Sequence, residues 1–381
     1  MIRLFAIALV AVAAVAPLPA QVPDAPTLNA TSYVLIDFHS GETVAAEQPD
    51  LRVEPASITK LMTSYVVFRE LAAGRLRLDD TVRISEKAWR TGGSRMFVEV
   101  DSEVAVEDLL QGVIIQSGND ASVALAEHVA GSEAVFAQMM NAEAQRLGMT
   151  DTNYLNSTGL PDPEHFTTAR DVATLARALI AEFPDYYRWY SQPEFTYNDI
   201  TQQNRNLLLR RDPSVDGLKT GHTESAGYCL ATSAEREGMR LVSVVMGSDS
   251  ESARASASQA LLNYGFRFFE TFKLYSAGEV LATAPVWKGE LEEMRLSIPA
   301  DLFVTVPRGR QGELAAEIEM PSRPIAPFRA GQPFGRLEIR LGGELRVEQP
   351  LNVVDEVPLA GWWGRTTDGI GLWFDGLFGG D

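Results

Sequence analysis

Apolar and polar positions alternate or recur in ways that divide the chain into recognisable elements. Tyr33–Asp37 and Glu42–Ala46, joined by a turn over His39–Gly41, read as two strands of a hairpin. Ser57–Leu71 has helical spacing, with Ile58, Leu61, Met62, Tyr65, Val66 and Phe68 apolar. Val106–Ile115 and Ala121–Ala130 predict two helices around the polar Gln116–Asp120. Ser132–Leu147 predicts another, stopped by Gly148, and Asp171–Ile180 a short one beginning near Arg170 or Asp171. Gly227–Ser233 and Arg240–Gly247 are apolar strands about a turn at Arg236–Gly238, followed by a long helix over Ser250–Phe272. An early hairpin and a late one thus bracket a helical middle, which suits an antiparallel sheet covered by helices. After Leu274 the texture changes. Met294–Ile298, Leu302–Val306 and Arg336–Leu341 are short β-rich segments between Gly- and Pro-containing turns, the pattern of a smaller all-β domain. The expected organisation is an apolar leader over 1–20, a mixed sheet-and-helix domain over 21–274, a β-rich domain over 275–355 and a tail over 356–381.

The two ends differ from the body. Met1–Ala20 has Arg3 beside the amino terminus, an apolar run over Leu4–Ala16 and a small-residue exit, the layout of a secretory signal peptide whose apolar core is too short to span a bilayer. Leu359–Asp381 places Trp362, Trp363, Ile370, Trp373, Phe374, Leu377 and Phe378 within roughly 160° of a helical wheel. Such a face can lie in a membrane interface or dock on its own protein. Seven Gly and a single basic residue, Arg365, weaken the membrane reading.

Composition narrows the function. The 381 residues carry a net charge of −18, which counts against binding nucleic acid through its phosphates. One Cys, Cys229, excludes a disulfide framework and a Cys-based zinc site, and the four His show no metal-ligand spacing. Cys229 itself, inside a predicted core strand, reads as a small buried hydrophobe. Of the 33 basic residues only five are Lys: Lys60, Lys87, Lys219, Lys273 and Lys288.

Two of those five sit in short patterns that carry chemistry. Ser57-Ile58-Thr59-Lys60 lies at a predicted helix start, where residues three apart share a face. A Ser hydroxyl needs a base to become a nucleophile, and a Lys is a base only if burial or a nearby cation lowers its pKa. Arg could not replace it, because Arg keeps its proton in proteins. Free N–H groups at a helix start suit a developing oxyanion. Alone, the pattern would read as an N-capping Ser before a surface Lys. Ser117-Gly118-Asn119 lies in a turn between helices and could present a hydroxyl and an amide to a cleft, or simply cap a helix. Lys219-Thr220-Gly221-His222 precedes an apolar strand. A Lys and a hydroxyl on a strand edge can hold a carboxylate, and Gly221 would admit a substrate backbone. An edge Lys that discourages aggregation is the plainer reading.

S-x-x-K, S-x-N and K-T-G each occur once, in the order used by active-site-serine penicillin-interacting enzymes. Over Tyr33 to Leu274 the chain closely resembles the low-molecular-mass penicillin-binding proteins that are serine-type D-alanyl-D-alanine carboxypeptidases. The runs Pro55–Thr63, Gln116–Ala121, Asn153–Leu160, Asp216–Thr223 and Gly265–Glu270 carry that resemblance. It implies a serine β-lactamase/DD-peptidase-like α/β (α+β) fold. It implies that Ser57 attacks the carbonyl joining the last two D-alanines of a peptidoglycan stem pentapeptide while Lys60 accepts its proton. The backbone N–H groups of Ser57 and His222 would form the oxyanion hole. Ser117, with Lys219, would protonate the departing D-alanine; Asn119 would position substrate amide and Lys60. Lys219 and Thr220 would hold the terminal carboxylate, penicillins would acylate Ser57, and no metal or organic cofactor is implied. Export to the periplasm and a peripheral membrane position also follow from the family plan. A β-lactamase is a rival, but its deacylating E-x-x-L-N lies between the second and third motifs, whereas the match here, Glu348–Asn352, lies after both. A muropeptide endopeptidase of the same fold is a closer rival, and a non-catalytic cell-wall binding protein is a third. His165 sits in a family-like stretch that could border the cleft or serve packing. Arg254 could reach the carboxylate site, with a surface ion pair as the simpler expectation.

Overall fold

The structure is a computed structural model and describes residues 22–361. The predicted signal peptide and most of the aromatic tail lie outside them. Among the described residues no helix is long and apolar enough to cross a membrane.

Five strands form the central antiparallel sheet: β1 (Ser32–Asp37), β2 (Thr43–Glu47), β3 (Val215–Thr223), β4 (Gly227–Arg236) and β5 (Met239–Ser248), in the order β2-β1-β5-β4-β3. The two hairpins that are far apart in sequence are zipped together by β1 and β5, with Ser32 opposite Met246 and Asp37 opposite Leu241. β1 is buried along its whole length, which explains an uninterrupted Tyr-Val-Leu-Ile run where a half-exposed strand would alternate. Its Val34 and Ile36 pack into one core with α1 (Lys60–Ala72), α2 (Asn119–Ala130) and α3 (Ala169–Glu182). Its Tyr33 and Leu35 point the other way, onto Leu261, Leu262 and Phe266 of α4 (Glu251–Phe268). The period-2 geometry of one strand therefore serves two cores, and each fully buried aliphatic there contributes about 1.5–3 kcal/mol.

Element identities follow the periodicity, while several boundaries move for local reasons. The first predicted helix begins with a 3-10 turn, Ala56–Thr59, before α1. The segment expected as one helix over Val106–Ile115 is α-helical only over Val106–Gln111 and widens to a π-helical turn over Gly112–Gln116. That turn ends at Ser117, in the left-handed region at φ 64°. α3 starts two residues earlier than expected, because Thr168, not Arg170 or Asp171, accepts the capping hydrogen bond from Asp171 N–H. The helix expected over Ser250–Phe272 stops at Phe268; Phe269–Tyr275 is instead a strand paired with Leu302–Pro307. A hairpin not read from the sequence occupies Glu194–Tyr197 and Ile200–Gln203. Its two-residue turn, Asn198-Asp199, has positive φ at both positions, as a primed hairpin turn requires.

The C-terminal region is β-rich. Its five-stranded sheet runs Val280–Pro285, Glu293–Ser297, Glu344–Val353, Pro333–Leu341, Leu314–Glu319 in spatial order. Leu296, Leu337, Ile339 and Leu351 of that sheet share a core with Val304 and Val306. The E-x-x-L-N letters at Glu348–Asn352 fall in one of these strands, away from the region that holds the serine motifs. The two regions meet through hydroxyls: Ser40 Oγ lies 2.6 Å from Thr305 Oγ1, and Thr271 Oγ1 donates to the buried Asp37 at 2.7 Å.

Candidate active site

The turn bearing Ser57 is wedged between two glycines. Gly159 comes so close that an added Cβ would lie 1.8 Å from the Ala56 carbonyl oxygen, and its φ of +82° is itself a glycine conformation. On the other side, a Cβ at Gly221 would stand 3.0 Å from the Pro55 carbonyl oxygen. The Lys-Thr-Gly strand β3, an edge of the sheet, can thus lie directly against the serine turn.

This packing gathers the three motifs. A cavity of about 410 Å³ is lined by Ser57, Ser117, Thr220, Gly221 and His222, together with Arg205 and Arg254. Lys60 and Asn119 are buried just behind it, and Lys219 is buried beside Thr220. Lys60 Nζ lies 3.1 Å from Ser57 Oγ, 2.6 Å from Asn119 Oδ1 and 2.6 Å from the Thr158 carbonyl oxygen. The opposite side of Asn119 is fixed as well, its Nδ2 donating to Gly92 O at 2.7 Å. Ser117 Oγ is buried without a hydrogen-bond partner among the described residues. A buried hydroxyl left unpaired is costly, which suits a group kept for a reacting partner. His222 stacks on Tyr228 with ring centroids 4.0 Å apart and is exposed at the cavity wall.

The electrostatics of the cavity oppose those of the chain. Lys60, Lys219, Arg205 and Arg254 converge there in a protein of net charge −18. Burial, reinforced by Arg205, lowers the Lys60 pKa to about 7, while Asp120 works against the shift. Burial also pushes Lys219 well below its ordinary value, with Lys60, Arg205 and Arg254 adding to the effect. Arg205 and Arg254, which keep their charge, outnumber Glu251 in the cavity wall and favour an anionic ligand group.

Two open alternatives are resolved and one residue is new. Arg254 is 3 % exposed and is not a plain surface ion pair: its Nη1 donates to Gly221 O at 3.0 Å, tying α4 to the third motif. His165 does not border the cavity. It is buried, its Nδ1 accepting from Leu155 N–H at 3.3 Å and its Nε2 lying 3.0 Å from Thr59 Oγ1. With Nδ1 as acceptor the proton sits on Nε2 and is donated to Thr59, one residue from Lys60; burial lowers the His165 pKa to about 4, so the ring is neutral. Arg205 lines the cavity although no motif marks it; its only signal in the sequence is an Arg in a polar stretch, shared with many others. Cys229 is fully buried in the core, as its strand position implies.

Comparisons with known proteins agree with the geometry. A family model described as D-alanyl-D-alanine carboxypeptidase matches residues 19–250, and one described as penicillin-binding protein 5, C-terminal domain, matches 269–359. The chain is 40% identical to D-alanyl-D-alanine carboxypeptidase DacA of Escherichia coli (strain K12), across 94% of this chain and 91% of that protein. The crystal structure of penicillin binding protein 5 from Haemophilus influenzae superposes with a TM-score of 0.85 at 41% identity, covering 87% of this chain and 98% of that one. Penicillin-binding protein D2 from Listeria monocytogenes, solved in its ampicillin-bound form, matches with a TM-score of 0.58 at 28% identity over 63% of this chain and 98% of that one. With both matched regions accounting for most of the chain, and a serine held against a buried lysine at their centre, the protein belongs to the D-alanyl-D-alanine carboxypeptidase family, the serine hydrolases of peptidase family S11.

Proposed function

We propose that this enzyme removes the terminal D-alanine from peptidoglycan stem pentapeptides through an acyl-enzyme on Ser57. The observation that carries the proposal is the pairing of Ser57 Oγ with a buried lysine amine whose pKa lies near neutrality. Lys60 Nζ takes the Ser57 proton as Oγ attacks the carbonyl between the two D-alanines. The backbone N–H groups of Ser57 and His222 hold the resulting oxyanion. Lys219 and Thr220 bind the terminal carboxylate, and Gly221 leaves room for the substrate backbone. Ser117 relays a proton, with Lys219, to the departing amine, and Asn119 aligns the substrate amide and Lys60. Water then cleaves the ester and restores Ser57. β-Lactams enter the same sequence as inhibitors, because their acyl group also ends on Ser57.

The test is D-alanine release from a pentapeptide ending in D-alanyl-D-alanine. The expected result is stoichiometric release of one D-alanine per peptide, blocked by prior treatment with penicillin. A folded protein that releases none would remove the proposal.

We further propose that residues 1–20 direct export to the periplasm and that the tail holds the enzyme peripherally on the outer face of the cytoplasmic membrane. Deleting Leu359–Asp381 should then move the protein to the soluble fraction while leaving D-alanine release unchanged. Equal membrane association of the full and truncated chains would refute the anchor.

A further inference from the structure

We propose that a second groove beside the catalytic cavity binds the amino-sugar strand that carries the stem peptide. The proposal rests on the carboxypeptidase reading and extends it from the peptide to the saccharide. The groove, of about 320 Å³, is lined by Trp89, Arg95, Phe97, Val98, Asn198 and Ile200, with Glu99 at its edge. Three of these are large apolar side chains left in solvent: Trp89 is 41 % exposed, Phe97 48 % and Ile200 40 %. Single exposed hydrophobes are ordinary, but several sharing one groove mark a binding surface.

The groove is built, not accidental. Three separate elements converge on it: the short helix Glu86–Arg90, the loop that follows, and the hairpin Glu194–Gln203. Phe97 adopts φ 69°, a left-handed conformation that costs a non-glycine residue energy. That conformation is enforced by Asp120, whose carboxylate accepts from the N–H groups of Met96, Phe97 and Val98 at 3.0, 2.9 and 3.3 Å. The hairpin is tied to the same loop, Gln202 Nε2 donating to Arg95 O at 3.2 Å.

The occupant follows from chemistry and from reach. Aromatic faces among an arginine, an amide and a carboxylate match a pyranose, which has an apolar C–H face and a polar rim. Its polarised C–H groups meet the electron-rich ring faces. One loop walls both sites: Gly93 and Ser94 line the catalytic cavity, and Arg95, Phe97 and Val98 line the groove. Three residues span at most ~11 Å, whereas a five-residue stem spans up to ~18 Å when extended. A stem peptide is therefore long enough to pass from the cavity wall at Ser94 to the groove wall at Phe97. Asn119 and Asp120 link the two sites in sequence: one touches Lys60, the other shapes the Phe97 loop.

The decisive measurement compares kcat/KM for a free pentapeptide with that for the same pentapeptide on an N-acetylglucosaminyl-N-acetylmuramyl disaccharide. Wild type should favour the disaccharide substrate by roughly tenfold, the worth of one or two aromatic contacts. Trp89→Ala and Ile200→Ala, both at exposed positions, should erase that preference and leave the free-peptide rate unchanged. Phe97→Gly, which suits the backbone conformation, should do the same. A wild type without the preference, or variants that keep it, would overturn the proposal and assign the groove to another partner. Failure of the carboxypeptidase reading would look different, since wild type would then release no D-alanine from either substrate.

Discussion

Ser57→Ala is expected to abolish D-alanine release, by roughly 10⁴-fold or more, and to leave no covalent penicillin adduct. The size follows from the role. Without Oγ no acyl-enzyme can form, and the other hydrogen-bond partners of Lys60 Nζ, Asn119 Oδ1 and Thr158 O, offer no second hydroxyl. The substitution removes one partly buried hydroxyl from a turn whose geometry is set by Gly159 and Gly221, so the fold should persist. Mass spectrometry of the protein after incubation with penicillin gives the readout. A stable adduct on the Ser57→Ala variant would show that another residue is the nucleophile.

Lys60→Arg should lose acylation by roughly 10²–10⁴-fold at every accessible pH, the usual range for a missing general base. The variant keeps a cation at this position, as wild-type Lys60 does below about pH 7, but cannot accept a proton at any pH. The guanidinium cannot give up its proton, whereas burial has already brought the Lys60 amine to about pH 7. The sign of the wild-type pH dependence follows from that depressed value. Below about pH 7 Lys60 carries a proton and cannot accept another; above it the neutral amine accumulates and the acylation rate should rise to a plateau. Stopped-flow acylation with a chromogenic β-lactam between about pH 5 and 9 would record the rise. A flat profile, or an Arg variant acylated at the wild-type rate, would remove Lys60 as the base.

How far the residues announce this site varies with the reach of the signal. Motif letters, their order and the scarcity of Lys lie within a few residues or in whole-chain counts, so Ser57, Lys60, Ser117, Asn119 and Lys219–His222 stand out before any folding is considered. Periodicity likewise separates a helical middle from a β-rich C-terminal region, because burial on one helix face or one strand face leaves a local imprint. Signals weaken where the deciding contact is distant. The helix after Ser250 ends at Phe268 because Phe269–Tyr275 finds a strand partner at Leu302–Pro307, some thirty residues on. A partner of that kind leaves no mark within the helix itself.

The sequence by itself therefore determined most of the long elements, the candidate nucleophile and base, and the acidic charge that disfavours nucleic acid. Tertiary structure alone decided which charged groups share a cavity and how far each is removed from water. Arg205 resembles the other arginines in the chain, and Arg254 stands open between an ion pair and the carboxylate site, until the fold brings both beside Lys219. His165 resembles a cleft residue until its ring is enclosed and held by Leu155 and Thr59. The physical reason is common to all of them: pKa and hydrogen-bond partners depend on desolvation and on neighbours across sequence separations that local patterns do not encode.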